Sequence, residues 1–189
     1  MDGKKTSLRI ALVAVFTAVV AVFTIAVRVP TPTTGGYISL CDVAVTFTAF
    51  AFGPITGLIA GGLGTAFSDL IGGYPQWAPI SFVVHGLEGL LIGLLVKGTD
   101  TAFWKKALGV VIAAVTVAFG YFLLTGLFLS SFSTAAVEIG PNILQGGVGG
   151  VLGLILYAAV SKGYRKLDEL RWNFDFKSLI KKNHKTTKE

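Results

Sequence analysis

The sequence predicts an all-α membrane protein: a bundle of six transmembrane helices, the second of them short. Three observations carry this. Apolar residues make up 53% of the 189 and charged residues only 14%, against about 25% charged in an average soluble domain. Mean hydropathy is +0.73. The apolar residues also fall into long runs separated by Gly-, Pro- and Ser/Thr-rich breaks. A spanning helix takes about 20 residues, so the chain holds six spans with short connections and one polar tail. Disorder, collagen and a soluble globular enzyme are excluded, and no length is left for a separate catalytic domain. The single cysteine, Cys41, has no partner for an internal disulfide.

The first apolar run, 8–29, follows Lys4 and Lys5 and has no small-residue cleavage site after it. It reads as a retained span rather than a signal peptide. Arg28, Pro30 and Pro32 end it, and Gly35 and Gly36 complete a loop. A short helix is expected over 40–52, stopped by Gly53-Pro54, and a third over 54–71 with proline in its first turn. Residues 72–79 form the next loop, and Pro79 opens a fourth helix to 96. A polar connector, 97–106, leads to a fifth span over 107–129. After a serine-rich break the sixth runs over 134–160.

Charge then sets the topology. Of 16 Lys/Arg, three stand at the start of span one, three in the 97–106 connector and nine after residue 160. Only Arg28 lies on the other side. With six spans both termini share a side, and the excess of basic residues makes that side cytoplasmic in a cell membrane. The net charge of +6 is therefore topology and not a nucleic-acid signal. The loops 30–39, 72–79 and 130–134 come together outside, carrying Tyr37, Tyr74, Gln76, Trp77 and Phe132. A small-molecule site is expected beneath them.

Ionisable side chains are costly in lipid and mark functional candidates. Those inside the spans are Asp42, Asp69, His85, Glu88 and Glu138, with Asn142 and Gln145 as buried amides. Ser39 and Asp42 fit a capping box, a structural role. Asp69, beside Gly72-Gly73, either lines a cavity or holds the glycine loop by bonding its amides. His85 and Glu88, three apart, share a helix face; they form either a locking pair or a ligand contact. Glu138, Asn142 and Gln145 form one stripe of the sixth span, and paired amide donors and acceptors suit the edge of a heteroaromatic ring. Glycines spaced by four on spans three, four and six read as internal packing. The alanine stripe of span one, Ala14 and Ala18 included, is free to face a partner.

No P-loop, His-Glu-x-x-His, Gly-x-Ser-x-Gly or cysteine pair occurs, so neither nucleotide hydrolysis nor a metal or nucleophile site is expected. No cofactor is expected either. There is no duplicated half of the kind many secondary transporters carry. Residues 1–162 are read as the transmembrane domain. Residues 163–189, basic and aromatic, are read as a cytoplasmic tail suited to the headgroup layer, solvated beyond Lys181.

Five segments in register carry a resemblance: Tyr37-Ile-Ser-Leu-Cys-Asp42, Phe52-Gly-Pro54, Asp69 through Pro79, Gly86-Leu-Glu-Gly89 and Gly140-Pro-Asn-Ile-Leu-Gln145. In these, over residues 8–162, the chain resembles the substrate-binding S components of energy-coupling factor (ECF) vitamin transporters. The resemblance implies a six-helix S-component bundle that binds a water-soluble vitamin or precursor. It implies as partners a transmembrane coupling (T) protein and two cytoplasmic ATPases, so that the chain itself is not an enzyme. It also implies contact with the coupling protein at Ala14 and Ala18, and ligand held near the outer face. Site candidates are Tyr37, Asp69, Tyr74, Gln76, Trp77, His85, Glu88, Glu138, Asn142 and Gln145. Riboflavin-type members often carry a lysine after the Pro-x-Asn segment, where this chain has Gln145. A smaller ring, of the hydroxymethylpyrimidine or pyridoxine kind, is therefore favoured over riboflavin. The competing reading is an autonomous channel or facilitator lined by Asp69, Glu88 and Glu138.

Overall fold

The computed structural model describes residues 3–164 and 166–174. In chain order it shows α1 (Gly3–Ala26), the strands β1 (Arg28–Thr31) and β2 (Gly36–Ser39), α2 (Cys41–Gly72), α3 (Ala78–Leu95), α4 (Phe103–Phe128), α5 (Phe132–Ala136), α6 (Ile139–Gly163) and a 3-10 turn, Leu167–Leu170. Five of the helices are long and apolar enough to cross a membrane.

α2 carries a break that makes it two spans. At Gly53 the backbone leaves helical geometry (φ 86°, ψ −176°), and Pro54 starts the chain back. A β-carbon built on Gly57 would lie 3.1 Å from that of Ala49, and one on Gly61 would lie 3.2 Å from Val45 Cγ1. Positions equidistant from Gly53 therefore face each other, as in an antiparallel helical hairpin. The two expected helices, 40–52 and 54–71, are thus present with one residue between them. At 1.5 Å per residue the first arm spans about 18 Å and the second about 28 Å. The first arm consequently starts well below the end of the second.

That short arm is the centre of the molecule: every residue from Cys41 to Pro54 is buried, which explains why apolar residues occur on all its sides, with Asp42, Thr46 and Thr48 buried among them. Around it pack α1, the second arm of α2, α3 and α6. Gly57 and Gly89 meet backbone to backbone, Gly61 lies against His85, Gly146 against Ala113 and Ala114, and Gly153 against Thr46 and Val43. The small-residue spacing of these spans is internal packing, because only hydrogen side chains admit such approach. On α1, Val20 and Thr24 face the bundle while Ala14 and Ala18 lie on the exposed side.

Four boundaries differ from expectation for local reasons. Residues 28–39 form an antiparallel hairpin, not an irregular loop, with Arg28 opposite Ser39 and Pro30 opposite Tyr37. Pro30 is tolerated because a two-stranded ribbon has only edges. This pairing ends α1 at Ala26. α4 begins at Phe103, so the connector is shorter than 97–106. Ser131, whose Oγ accepts from the Thr134 N–H at 3.2 Å, caps the short α5, and the last span starts only at Ile139.

The first part of the tail is tied to the bundle by long-range contacts. Residues 167–173 pack on the bundle at the end away from the hairpin. Leu167 and Arg171 are buried. The Arg171 guanidinium donates to the carbonyls of Phe50, Gly93 and Val96, which lie at the ends of the first arm of α2 and of α3. The Trp172 N–H donates to Phe52 O at 2.8 Å. Asp168 accepts from the Thr99 N–H and Oγ1, clamping the α3–α4 connector. Contacts with the bundle therefore continue past residue 162 to 173. Lys181 and the solvated end expected there lie outside the described residues.

Candidate functional site

Because the first arm of α2 starts low, a cavity is left above its N-terminus, roofed by the β-hairpin and the 73–77 loop. It comprises about 400 Å³ of empty space including its open mouth. Helix α2 supplies Cys41, Thr65 and Asp69; α3 with its preceding residue supplies Trp77, Ser81 and His85; α4 supplies Tyr121. Glu138, Asn142 and Gln145 come from α6 and its N-cap, Tyr37 and Ser39 from β2, and Thr24 from α1.

Each wall is fixed by a specific contact. The Tyr37 hydroxyl donates to Asp69 Oδ1. Burial and the adjoining carboxylate raise the phenol above its ordinary pKa, so it remains a donor. Arg28 lies over the Tyr37 ring at 4.8 Å and donates to Ser68 O at 2.7 Å. Gly36 sits on the Trp77 indole, where a β-carbon would come 3.0 Å from Cζ2. Gln145 Oε1 accepts from the Ser39 N–H at 2.7 Å, joining β2 to α6. Thr34 of the hairpin turn donates to Glu138. On the far wall the Tyr121 hydroxyl pairs with Ser81 Oγ at 2.8 Å and His85 Nε2 at 3.2 Å.

Two buried polar atoms of lining residues have no hydrogen-bond partner among the described residues: Asp69 Oδ2, an acceptor, and Trp77 Nε1, a donor. Asp69 is 1% exposed and Trp77 4%. Buried polar groups are nearly always satisfied, so these two atoms are unmet polar positions in the residues that line the cavity.

Of the candidates from sequence, Tyr37, Asp69, Trp77, His85, Glu138, Asn142 and Gln145 are brought to one cavity. Three are not. Tyr74 stacks edge-on against Tyr37 at 4.9 Å, on the roof and not inside. Gln76 is exposed, because the short 73–77 turn points it away. Glu88 lies below His85, fully buried, bonded to His85 Nδ1 at 3.0 Å and accepting from Thr46 Oγ1 at 3.3 Å. The side chain of Asp69 turns to Tyr37, while its backbone carbonyl takes the Gly73 and Tyr74 amides.

The capping box at Ser39 is corrected too. The N-cap position is Leu40, without a side-chain cap. Ser39 Oγ accepts from the Cys41 N–H at 3.2 Å, and Asp42 faces His85 Nδ1 at 3.5 Å instead of reaching back. Sequence reasoning passed over Thr24, Thr65, Ser81 and Tyr121 in the walls. The available signal was Tyr121, the one tyrosine of the fifth apolar span.

Comparison with known proteins fits this arrangement. The family model described as "ECF-type riboflavin transporter, S component" matches residues 4–162. A protein of Pyrococcus woesei described only as uncharacterized is 37% identical over 134 residues, covering 69% of this chain and 88% of its own. The thiamine precursor transporter HmpT of Lactococcus lactis is 29% identical over 172 residues, 88% of this chain and 98% of its own. A UPF0397 protein of Streptococcus pneumoniae is 35% identical over 71 residues, 38% of either chain. With its fold, its match over nearly the whole length and five apolar spanning-length helices, this multi-pass membrane protein belongs to the ECF-type riboflavin transporter S component family, the substrate-binding subunits of vitamin transporters.

Proposed function

We propose that this chain captures a single-ring heteroaromatic vitamin or precursor, of the hydroxymethylpyrimidine or pyridoxine kind, outside the cell. It then delivers the ligand inward through an ATP-driven importer of the cell membrane. The carrying observation is the pair of unpartnered, buried lining atoms, Asp69 Oδ2 and Trp77 Nε1. An acceptor and a donor on one cavity match the donor and acceptor edge of an amino- or hydroxy-substituted ring. The similarity to a thiamine precursor transporter points the same way.

The remaining contacts are assigned to Tyr37, His85, Glu138, Asn142 and Gln145, with Tyr74 as roof and Glu88 as support beneath His85. Gln76 has no place in this reading beyond the mouth. Both termini are cytoplasmic, by the distribution of Lys and Arg. Ala14 and Ala18, exposed on α1, belong to the surface that meets a transmembrane coupling protein, and two cytoplasmic ATPases supply the energy. Against the channel reading, the half of the bundle away from the cavity is filled by Phe47, Phe50, Phe52, Ile92 and Tyr157, leaving the cavity a floor.

Small molecules released on denaturing the detergent-purified protein test the ligand. One equivalent of a pyrimidine or pyridine supports the reading, and a flavin moves the substrate to riboflavin. Concentrative uptake by this chain alone, without coupling protein and ATPases, would refute the subunit role.

A further inference from the structure

α4 and α6 meet closely where Gly146 lies against Ala113 and Ala114 and Gly150 against Val110. Between Val110 and the start of α4, Leu154 and Tyr157 stand in place of glycine on α6, and a groove runs between the two helices. It comprises about 1,140 Å³ of empty space, its open side included. Ala107, Val110, Val151, Leu154 and Ile155 make most of it apolar, while Lys106, Ser161 and Lys162 line its other end. We propose that this groove binds one anionic phospholipid of the cytoplasmic leaflet, with an acyl chain along the apolar walls and the phosphate at Lys106 and Lys162. The site lies apart from the cavity and stands whether or not the cavity takes a vitamin.

The dimensions fit a single leaflet. Between its lining residues 151 and 162, α6 rises roughly 16 Å at 1.5 Å per residue. Half of a hydrocarbon core of about 30 Å is about 15 Å. The polar end of the groove lies at the start of α4 and the end of α6, where Trp104 and Tyr164 are exposed. Tryptophan and tyrosine collect at the headgroup level of membranes. This end is the cytoplasmic one by the distribution of Lys and Arg.

Charge selects the class of lipid. Two lysines line the groove and no Asp or Glu does. Among the described residues no ion pair engages either lysine. Lys106 is held at the groove by the Thr99 carbonyl, to which its Nζ donates at 2.8 Å, and by the Tyr157 ring, 5.7 Å away. An ammonium carries three donors, so two remain for phosphate oxygens. A zwitterionic headgroup would set its own cation beside these lysines, and an anionic one would not. Basic pockets between spanning helices on the cytoplasmic side suit anionic headgroups for this reason.

Native mass spectrometry of the full-length protein in detergent tests this, with phosphatidylglycerol and phosphatidylcholine of identical acyl chains as the probes. One phosphatidylglycerol retained per chain is expected, in preference to phosphatidylcholine. Lys106→Gln and Lys162→Gln should each weaken that binding about 5-fold. Lys97→Gln, on the same side of the bundle but outside the groove, should leave it unchanged. Ala158→Phe, which fills the groove while keeping both lysines, should also lower it. Thermal melting checks that each variant is folded, and Lys162→Gln alone carries the charge test if Lys106→Gln is not. Equal retention of the two lipids, an equal loss in Lys97→Gln, or unchanged binding in folded Ala158→Phe overturns the site and leaves surface charge only. Vitamin binding is read separately from the ligand released on denaturation.

Discussion

The Tyr37 hydroxyl is hydrogen-bonded to Asp69, joining the β-hairpin to the far end of α2's second arm, 32 residues on. This bond seats the roof of the cavity, and the other carboxylate oxygen, Asp69 Oδ2, has no hydrogen-bond partner among the described residues. Hydrogen bonds to charged groups contribute about 1.5–3 kcal/mol. Tyr37→Phe and Asp69→Asn should therefore each weaken binding of hydroxymethylpyrimidine by at least about 10-fold in calorimetric titration. Equal affinity in wild type and Asp69→Asn would remove that carboxylate from the site.

Trp77 Nε1 makes the opposite demand, for an acceptor. Trp77→Phe keeps an aromatic ring under Gly36 but deletes the donor. A loss of about 5- to 30-fold in affinity, with the melting temperature little changed, is expected. If Trp77→Phe lowers the melting temperature steeply while affinity stays level, the indole supports the hairpin and not the ligand.

At Gly53 the φ of 86° falls in the left-handed region, and an added β-carbon would come 3.0 Å from Trp172 O and Asn173 Oδ1. Gly53→Ala should cost about 1–3 kcal/mol through strain at the turn. Gly147→Ala, where nothing lies within 4 Å, serves as the neutral control. Thermal melting in detergent separates the two, and comparable melting of both variants would count against a strained turn.

Arg171 is the tail's anchor, donating to three carbonyls while only 3% exposed. Arg171→Ala leaves these carbonyls buried without donors, at about 1–3 kcal/mol for an unsatisfied group. A clearly lower melting temperature is expected, with faster hydrogen exchange at Trp172, whose amide is bonded to Phe52 O. Unchanged exchange there would show that the segment holds without its guanidinium.

Ala14 and Ala18 line the exposed side of α1 and take no part in the cavity. Ala14→Leu with Ala18→Leu should leave ligand affinity in the isolated subunit unchanged. Uptake with coupling protein and ATPases present should fall at least about 10-fold, because close helix approach needs small side chains. Full uptake by the double variant would move the partner surface elsewhere.

What the amino-acid sequence determined by itself is whatever depends on local hydropathy and backbone chemistry. Six apolar runs, the Gly53-Pro54 reversal, the proline at the start of α3 and the gathering of Lys and Arg are properties of neighbouring residues. Solvent and backbone sterics read these with no help from the rest of the fold. The buried polar residues Asp69, His85, Asn142 and Gln145 were legible for the same reason, since a polar side chain in an apolar span must face protein. Only the tertiary structure decided which of them meet. Asp42 looked like a cap because its neighbour Ser39 is close in sequence, yet a helix that starts one arm's step below its partner turns Asp42 toward His85, 43 residues away. Gln76 and Trp77 are adjacent, and only the packing of the hairpin on the indole sends one inward and the other out. The tail read as a basic, aromatic segment for the headgroup layer, and nothing near residue 171 in the sequence reveals its contacts with the carbonyls at 50, 93 and 96. Long-range contacts of this kind follow from how helices of unequal length pack, which no local window contains.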